Sequence, residues 1–436
     1  MRLLIRMIVV LLMTFTSVIG SDQIPGNLPD GPIALVGGTI HTVSGSVIVN
    51  GALLIEGGKI VAVGDDIQIP EGARWVDTEG LHVYPGLIES YSQLGLVEVN
   101  TVRGSVDHSE VGSVNPNVRA EVAVNPDSER IPTTRANGIL SALTVPTGGT
   151  IAGMSAVIQL DGWTYEEMTL QTQAGLHVKW PVMQLSHPNA NTVKSRKTAR
   201  ERALKTIRET VEQARAYLVA RQSGKVHEVD LRLDAMLPVL AKKIPVFVHA
   251  DEFLQIEAAI DWGVAEGLRI VIVGGMDAWR SVEKLVKYDI PVIVRGTQRL
   301  PSRRWDPYDA PFTVPLKLHD AGVRFCISSD AVGPPEPERN LPYQASLAAA
   351  YGLPKDEALK SVTLSAAEIL GVGDRIGSID VGKDATLIVT TGDPLEIRTH
   401  VTQAYIQGRE VDLSSRHTML YEKYQEKYRQ LGLLER

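Results

Sequence analysis

Tyr91 and Gln93 lie two positions apart in the segment 83–96, which reads VYPGLIESYSQLGL. In a β-strand alternate side chains share one face, so we expect these two side chains to point the same way. A phenol is a poor metal ligand unless it is ionised. An amide carbonyl is a neutral, hard oxygen that suits calcium or magnesium better than zinc. We therefore interpret Tyr91 and Gln93 as candidate substrate-binding residues.

Two arginines, Arg119 and Arg135, lie in a segment after this strand that is rich in Asn, Pro and Arg. A guanidinium group binds a carboxylate through two parallel hydrogen bonds, so both arginines are candidate substrate-binding residues. The segment would then act as a lid or a substrate clamp. The alternative is that each arginine forms a surface ion pair.

Short apolar runs separated by glycine turns fill residues 33–83, and the same texture returns near the end of the chain. This pattern predicts β-strands in both regions. Short strands in two separate segments cannot each bury a face alone, so we expect both regions to form one small β-sandwich. Two independent hairpins are the alternative, but they leave more strand edges exposed.

Between these regions the pattern changes to apolar strands that alternate with helical stretches. This alternation predicts a parallel sheet, and a (β/α)₈ barrel fits it best. An open, doubly wound sheet has the same alternation, but no glycine-rich phosphate loop follows the first strand of the region. The clearest predicted strands cover residues 245–249, 268–273, 291–294 and 324–328.

Two motifs carry a resemblance to a known family. The first is Pro-Gly-Leu-Ile-Glu-Ser at 85–90, followed by Leu-Gly, and the second covers 357–389, with EALKSVTLSAAEILGV and RIGSIDVGKDATLIV. From about residue 32 to about residue 413 the chain resembles the amidohydrolase superfamily, in particular an imidazolonepropionase-like, secreted branch. The resemblance implies a TIM-like barrel with a small β-sandwich built from both chain ends.

The implied domains are a signal peptide, the first part of the sandwich, the barrel, the second part of the sandwich and a C-terminal helical tail. Their boundaries are 1–20, 32–83, 84–375, 376–412 and 413–436.

The resemblance also implies where a metal site would lie. Members of the superfamily usually carry two histidines at the positions of Tyr91 and Gln93, a histidine after the fifth and the sixth barrel strand, and an aspartate after the eighth. His249 matches the fifth-strand histidine and Asp330 the eighth-strand aspartate, whereas Gly274 follows the sixth strand. The resemblance therefore makes His249 and Asp330 the candidate catalytic residues, and the candidate ligands if any metal is bound.

Catalytic zinc ordinarily takes about three protein ligands, and only two of the usual residues remain. We therefore expect no binuclear centre and at most one divalent metal ion, with zinc as one option. Lys179 is a further candidate near the fourth strand, where some relatives carry a carbamylated lysine. A solvated lysine is the favoured interpretation, because lysine side chains are usually exposed.

The predicted function is a hydrolase of carbon–nitrogen bonds other than peptide bonds, acting on a cyclic or N-acyl substrate with a reduced or absent metal centre. Asp330 would orient or deprotonate water, and His249 would hold a metal or polarise the substrate carbonyl. A metal-independent enzyme built on the same pair is one alternative. A catalytically inactive binding protein with this fold is the other.

The N-terminus predicts export. Arg2 and Arg6 precede the apolar run 7–13, and residues 18–20 give a small-residue cleavage pattern, as in a secretory signal peptide. An uncleaved anchor is the alternative, but no later stretch is long and apolar enough to span a bilayer. The formal net charge is −7 and the basic residues are scattered, so we expect a small-molecule substrate and no nucleic acid partner. The sequence leaves a homo-oligomer open.

Overall fold

The structure is a computed structural model that describes residues 23–185, 189–224, 228–329 and 338–434. The predicted signal peptide and Asp330 lie outside these residues. Within them, two separate sheets organise the chain, and each sheet has eight strands.

The first sheet joins both ends of the chain. Its strands follow the order β16-β15-β14-β5-β1-β2-β3, and β4 pairs with β1 beside β5. The connection between the chain ends is the antiparallel pairing of β14 with β5, in which Ile388 faces Tyr84. The strands are β1 (Ile33–His41), β2 (Val47–Glu56), β3 (Lys59–Gly64), β4 (Arg74–Asp77), β5 (His82–Pro85), β14 (Leu387–Thr390), β15 (Val401–Ile406) and β16 (Arg409–Glu410).

The second sheet forms a nearly closed barrel. Its strands follow one another in chain order from β6 to β13, and β6 and β13 approach each other at the seam. This confirms the predicted mixed α/β barrel with a separate β-sheet domain. The strands are β6 (Leu87–Ser92), β7 (Ile139–Thr144), β8 (Ile151–Gln159), β9 (Thr169–Lys179), β10 (Val246–Ala250), β11 (Ile270–Gly274), β12 (Val292–Arg295) and β13 (Phe325–Ser328).

One strand departs from the expected repeat. β8 is antiparallel to both β7 and β9, whereas the other neighbouring pairs of the barrel sheet are parallel. An antiparallel neighbour needs no helical crossover, so a short connection suffices on each side of β8. Gly149, in the connection before β8, has a φ of +65° and would place a Cβ 2.7 Å from Ser113, so the turn requires glycine there.

Helices cover the outside of the barrel. Their apolar faces pack against a buried cluster that includes Ile207, Val211 and Ala214 of one long helix. The helices are α1 (Arg130–Arg135), α2 (Tyr165–Met168), α3 (Ala190–Gln222), α4 (Leu231–Leu240), α5 (Phe253–Ala265), α6 (Val282–Lys287), α7 (Ala310–Asp320), α8 (Leu341–Ala350), α9 (Lys355–Ser361), α10 (Leu364–Leu370) and α11 (Arg416–Gln430). Within the described ranges, no helix is both long and apolar enough to cross a bilayer.

A second buried cluster fills the inside of the barrel. It contains Ile88, Phe247, Val273, Ile293 and Cys326. These apolar side chains alternate along their strands with residues that face the helices. The barrel is therefore a packed core, and its functional surface is the edge at which the parallel strands end.

Candidate functional site

A buried histidine, His177, and a half-buried one, His249, lie side by side near the ends of neighbouring strands. His249 is the fourth residue of β10, and His177 lies two residues before the end of β9. The parallel register pairs His249 with Lys179 and His177 with Phe247. The Nδ1 atom of His177 lies 2.9 Å from the Nε2 atom of His249, so the two imidazoles are hydrogen-bonded to each other.

Burial keeps both imidazoles neutral. Burial is the main reason that the pKa of His249 falls to about 3, and the positive charges of Arg295 and Lys179 lower it further. The pKa of His177 lies well below its usual value because of burial and the neighbouring His249. At neutral pH one ring therefore donates the shared proton and the other accepts it.

Tyr91 completes this cluster from the first barrel strand. Its ring meets the ring of His249 edge-on, with the centroids 5.4 Å apart. The guanidinium of Arg295, at the end of β12, lies 4.9 Å from the centroid of the Tyr91 ring. This is a cation–π contact, and it brings a fixed positive charge next to the two imidazoles. Tyr91 thus lies in the candidate site, as its strand position predicts.

Gln93 points elsewhere. It follows the last residue of β6, and its Nε2 donates a hydrogen bond to Thr147 Oγ1 at 2.9 Å. The same hydroxyl is hydrogen-bonded to Nδ1 of His108 at 2.9 Å. Gln93 therefore ties the first strand to two loops, and its contact with the site passes through Thr147, which lines the cavity described next.

A cavity of about 730 Å³ opens above the histidine pair. Tyr91, His177 and His249 lie on one side of it, and Arg196 and Arg200 of α3 lie on another. This volume suits a small molecule. Lys179 also lines the cavity, so the candidate carbamylation site faces the same space as the imidazoles.

Arg119 and Arg135 lie away from this cavity. Arg119 pairs with the buried carboxylate of Glu121 at 2.7 Å. Arg135 donates to Asp161 at 2.8 Å and to the carbonyl of Leu160 at 2.7 Å. Because β8 is antiparallel, Leu160 and Asp161 follow it at the barrel edge opposite to the one where His249 lies. Among the described residues that line the cavity, neither arginine is found.

Glu89 is a buried carboxylate that sequence reasoning did not single out. It accepts hydrogen bonds from the Ser328 hydroxyl at 2.7 Å and from the backbone N–H of Ser329 at 3.1 Å. The backbone N–H of Tyr91 donates to it at 3.0 Å. Burial raises the pKa of Glu89 to about 7, although these hydrogen bonds act in the opposite direction. Glu89 thus fastens the first barrel strand to the last one at the seam.

The described residues do not assemble a metal site by themselves. No three His, Cys, Asp or Glu side chains within them lie close enough to hold an ion. At Gly274 the φ is +116°, and an added Cβ would lie 2.7 Å from Oδ1 of Asp251. A histidine at this position would therefore strain the backbone and force Asp251 to move. The positive charges of Arg295 and Lys179 near His249 also oppose a dication there.

His177 could have been found from its spacing. It lies two positions before Lys179 in an apolar strand, so both side chains point to one face, and a histidine inside such a strand needs a polar partner. Glu89 carries a similar signal, because a lone carboxylate in an apolar strand also needs partners. Asp330 lies outside the described residues, two positions after the end of β13.

Comparisons with known proteins agree with this fold. A model of the amidohydrolase family matches residues 313–421. An imidazolonepropionase from Mesorhizobium japonicum is 24% identical over 397 residues, which cover 79% of this chain and 87% of that protein. The amidohydrolase tasK of Hapsidospora irregularis is 24% identical over 82% of this chain, but the match spans only 39% of that protein's length.

The solved structures include one with substantial similarity. The crystal structure of an amidohydrolase from Thermotoga maritima MSB8 has a TM-score of 0.77 and 29% sequence identity, with 87% of this chain and 99% of that chain covered. A prolidase crystallised with N-methylphosphonate-L-proline has a TM-score of 0.53 and 18% identity, which is a likeness of fold alone.

Proposed function

Because the chain belongs to the amidohydrolase superfamily, we propose that it is a hydrolase of carbon–nitrogen bonds other than peptide bonds. Its substrate is a small cyclic or N-acyl molecule. Its metal centre is reduced to at most one divalent ion, such as zinc, or is absent.

The observation that carries this proposal is the neutral pair of His177 and His249 in a cavity of about 730 Å³. The pair lies where the parallel strands end, which is the edge that carries catalysis in barrel enzymes. The name of one relative, an imidazolonepropionase, supports the reaction class.

The proposed reaction is attack of water on the substrate carbonyl. Asp330 accepts a proton from the water, whose oxygen forms a bond to the carbonyl carbon. An imidazole N–H of the His249 and His177 pair donates to the carbonyl oxygen and stabilises its developing negative charge. The carbon–nitrogen bond then breaks, and the departing nitrogen takes the proton from Asp330. His249 and Asp330 are also the groups that would hold a single ion, but no step of this sequence requires one.

A binding protein without catalytic activity is the second candidate. The observation that favours it is the position of Arg295, whose guanidinium lies over the ring of Tyr91. Its positive charge opposes the binding of a metal ion next to His249. Such a protein would bind the same class of small molecule in the same cavity and leave it unchanged.

One experiment separates the two candidates. Purified, chelator-treated protein is assayed for amine release from a panel of cyclic amides and N-acyl amino acids, with its metal content measured in parallel. We expect turnover with at most one metal per chain. Asp330→Asn and His249→Ala should each lower turnover about a hundredfold or more. His319→Ala is the matched control, because His319 lies on α7 beside Glu357, outside the barrel.

Two results would contradict the proposal. Wild-type rates in both Asp330→Asn and His249→Ala would place the working site elsewhere. Ligand binding without turnover of any panel member would favour the binding protein.

We also propose that the chain is exported and cleaved near residue 20. N-terminal sequencing of protein from a secreting host should then begin near Ser21, and an intact Met1 in a membrane fraction would contradict export.

A further inference from the structure

The cavity has the opposite charge to the chain that encloses it. The whole chain carries a formal net charge of −7. Among the described residues, the cavity lining carries four basic side chains, Lys179, Arg196, Arg200 and Arg295, against one carboxylate, Asp251. The imidazoles of the lining are neutral, so they do not offset this excess of positive charge. A cavity lined by one sign of charge concentrates ligands of the other sign.

Helix α3 provides one wall of this cavity. Arg196, Ala199, Arg200 and Ala203 line it, and they are spaced as one face of a helix. The two alanines are small, so they leave room beside the guanidinium groups. Farther along the same face of α3, Ile207, Val211 and Ala214 are buried in the core that lies between the helices and the barrel. The orientation of the arginine face is therefore set by packing.

Arg200 is also held in place. Its Nη1 donates a hydrogen bond to the carbonyl of Met183 at 3.0 Å. A guanidinium has five N–H donors, so this bond leaves donors for a ligand and reduces the side-chain entropy that binding would cost. Arg196 lies one helical turn away, at the spacing that lets two side chains serve one anion.

The reacting groups lie on a different side of the cavity. His177 and His249 sit at the strand ends, and the arginines of α3 sit on the helix wall. A ligand with two separate polar groups can therefore contact both walls, with one group at the imidazoles and the other at the guanidinium groups.

Building on the proposed function, we propose that the substrate is a small-molecule carboxylate. Its carboxylate is bound by Arg196 and Arg200 of α3, and its scissile amide carbonyl faces His177 and His249. Planar guanidinium groups match a carboxylate through paired hydrogen bonds, which makes this pairing specific as well as strong.

The test measures binding, so it does not depend on turnover. Isothermal titration of the full-length mature protein compares N-acetyl-L-alanine with N-acetyl-L-alaninamide, and glutarate with glutaramide, with inorganic phosphate as a further probe. In each pair the two molecules have nearly the same shape and differ in charge. We expect each carboxylate to bind at least tenfold more tightly than its amide, and the difference to shrink as salt concentration rises.

Two variants locate the binding site. Arg196→Gln combined with Arg200→Gln should abolish the preference for the carboxylate, and Gln at position 200 retains a donor for the Met183 carbonyl. Arg208→Gln is the matched control, because Arg208 is exposed on the same helix and is not part of the cavity lining. It should retain the wild-type preference.

Equal affinity for the charged and neutral probes would overturn the inference. The inference would also be overturned if the double variant kept the wild-type preference for carboxylate over amide. Tighter binding of phosphate than of every carboxylate, or no carboxylate binding at 10 mM, would overturn it as well. Carboxylate binding without any amide hydrolysis would leave this inference standing and reject the proposed function. If both the wild type and the double variant hydrolyse neutral amides, the proposed function stands and this inference is rejected.

Discussion

The Nδ1 atom of His177 and the Nε2 atom of His249 lie 2.9 Å apart, and only one proton can occupy the space between them. Parallel pairing of β9 with β10 fixes this arrangement, because it sets the two histidines in register pairs two positions apart, whose side chains point to the same face. The state of each ring is therefore coupled to that of the other, and both depend on the charges nearby.

Arg295→Gln should raise the pKa of His249. The positive charge of Arg295 disfavours protonation of His249, so its removal favours the charged imidazole. Lys179→Gln should act in the same direction by a smaller amount. NMR titration of the imidazole signals between pH 3 and pH 8 would measure both shifts. The control is Lys205→Gln, an exposed lysine on α3, and an unchanged or lowered pKa in Arg295→Gln would contradict the expectation.

Glu89 should make the free energy of unfolding depend on pH. Its pKa rises from 4.5 to about 7 in the folded protein, so between these values the folded state binds the proton more tightly than the unfolded state. Protonation of Glu89 therefore adds on the order of 3 kcal/mol to the free energy of unfolding. This stabilisation is fully present below pH 4.5 and is lost as the pH rises through 7. Urea unfolding from pH 4.5 to 8 should show this loss in the wild type.

Glu89→Gln removes the titration, so its stability relative to wild type should rise with pH over the same range. The exposed Glu56→Gln is the control. Parallel curves for wild type and Glu89→Gln would show that Glu89 does not titrate there.

Gly175→Ala should destabilise the barrel by about 1–3 kcal/mol, the usual cost of overpacking a core. An added Cβ would lie 2.3 Å from the ring of Phe247, which is fully buried and packs against His177 at a centroid distance of 5.0 Å. The displaced ring should also disturb the histidine pair. Denaturant unfolding measures the first effect and the imidazole NMR signals the second. Gly31→Ala is the matched control, since nothing lies within 4 Å of its Cβ position, and equal stabilities of the two variants would refute the clash.

Arg135→Met should cost about 3–5 kcal/mol of stability and leave ligand affinity unchanged. The side chains of Arg135 and Asp161 are only 4% and 3% exposed, so the substitution would leave a buried carboxylate without its cation. Arg135→Met combined with Asp161→Leu should recover part of the loss. The control is Arg324→Met, which breaks an exposed pair with Asp289 and should cost less than about 1 kcal/mol. Weaker binding of N-acetyl-L-alanine to Arg135→Met would restore Arg135 as a ligand-binding residue.

Much of the fold is visible in the sequence. Apolar runs such as 245–249 alternate with helical stretches, and glycine-punctuated runs recur at both chain ends, so the barrel and the joined sheet both follow from periodicity. The direction of β8 does not follow, because a buried strand is apolar throughout whether its neighbours are parallel or antiparallel.

The site was harder to predict, and the reasons are physical. His249 is predictable because the resemblance to the amidohydrolase superfamily places the fifth-strand histidine at its position. Arg119 and Arg135 illustrate the limit, because an arginine that binds a ligand and one that pairs with a buried carboxylate look alike until their neighbours are known. The role of Arg200 depends on the packing of α3, which one sequence does not display.

The pairing of β14 with β5 also makes protein synthesis a slow step in the assembly of the first sheet. β5 ends at Pro85 and β14 begins at Leu387, about 300 residues later. At about 5–20 residues per second, a ribosome needs roughly 15 to 60 s to make that distance. During this interval the backbone edge of β5 lacks its neighbour, and an unpaired strand edge is a template for aggregation. The nascent chain therefore has to shield this edge, by a chaperone or by the growing barrel, until nearly nine-tenths of the protein has been made.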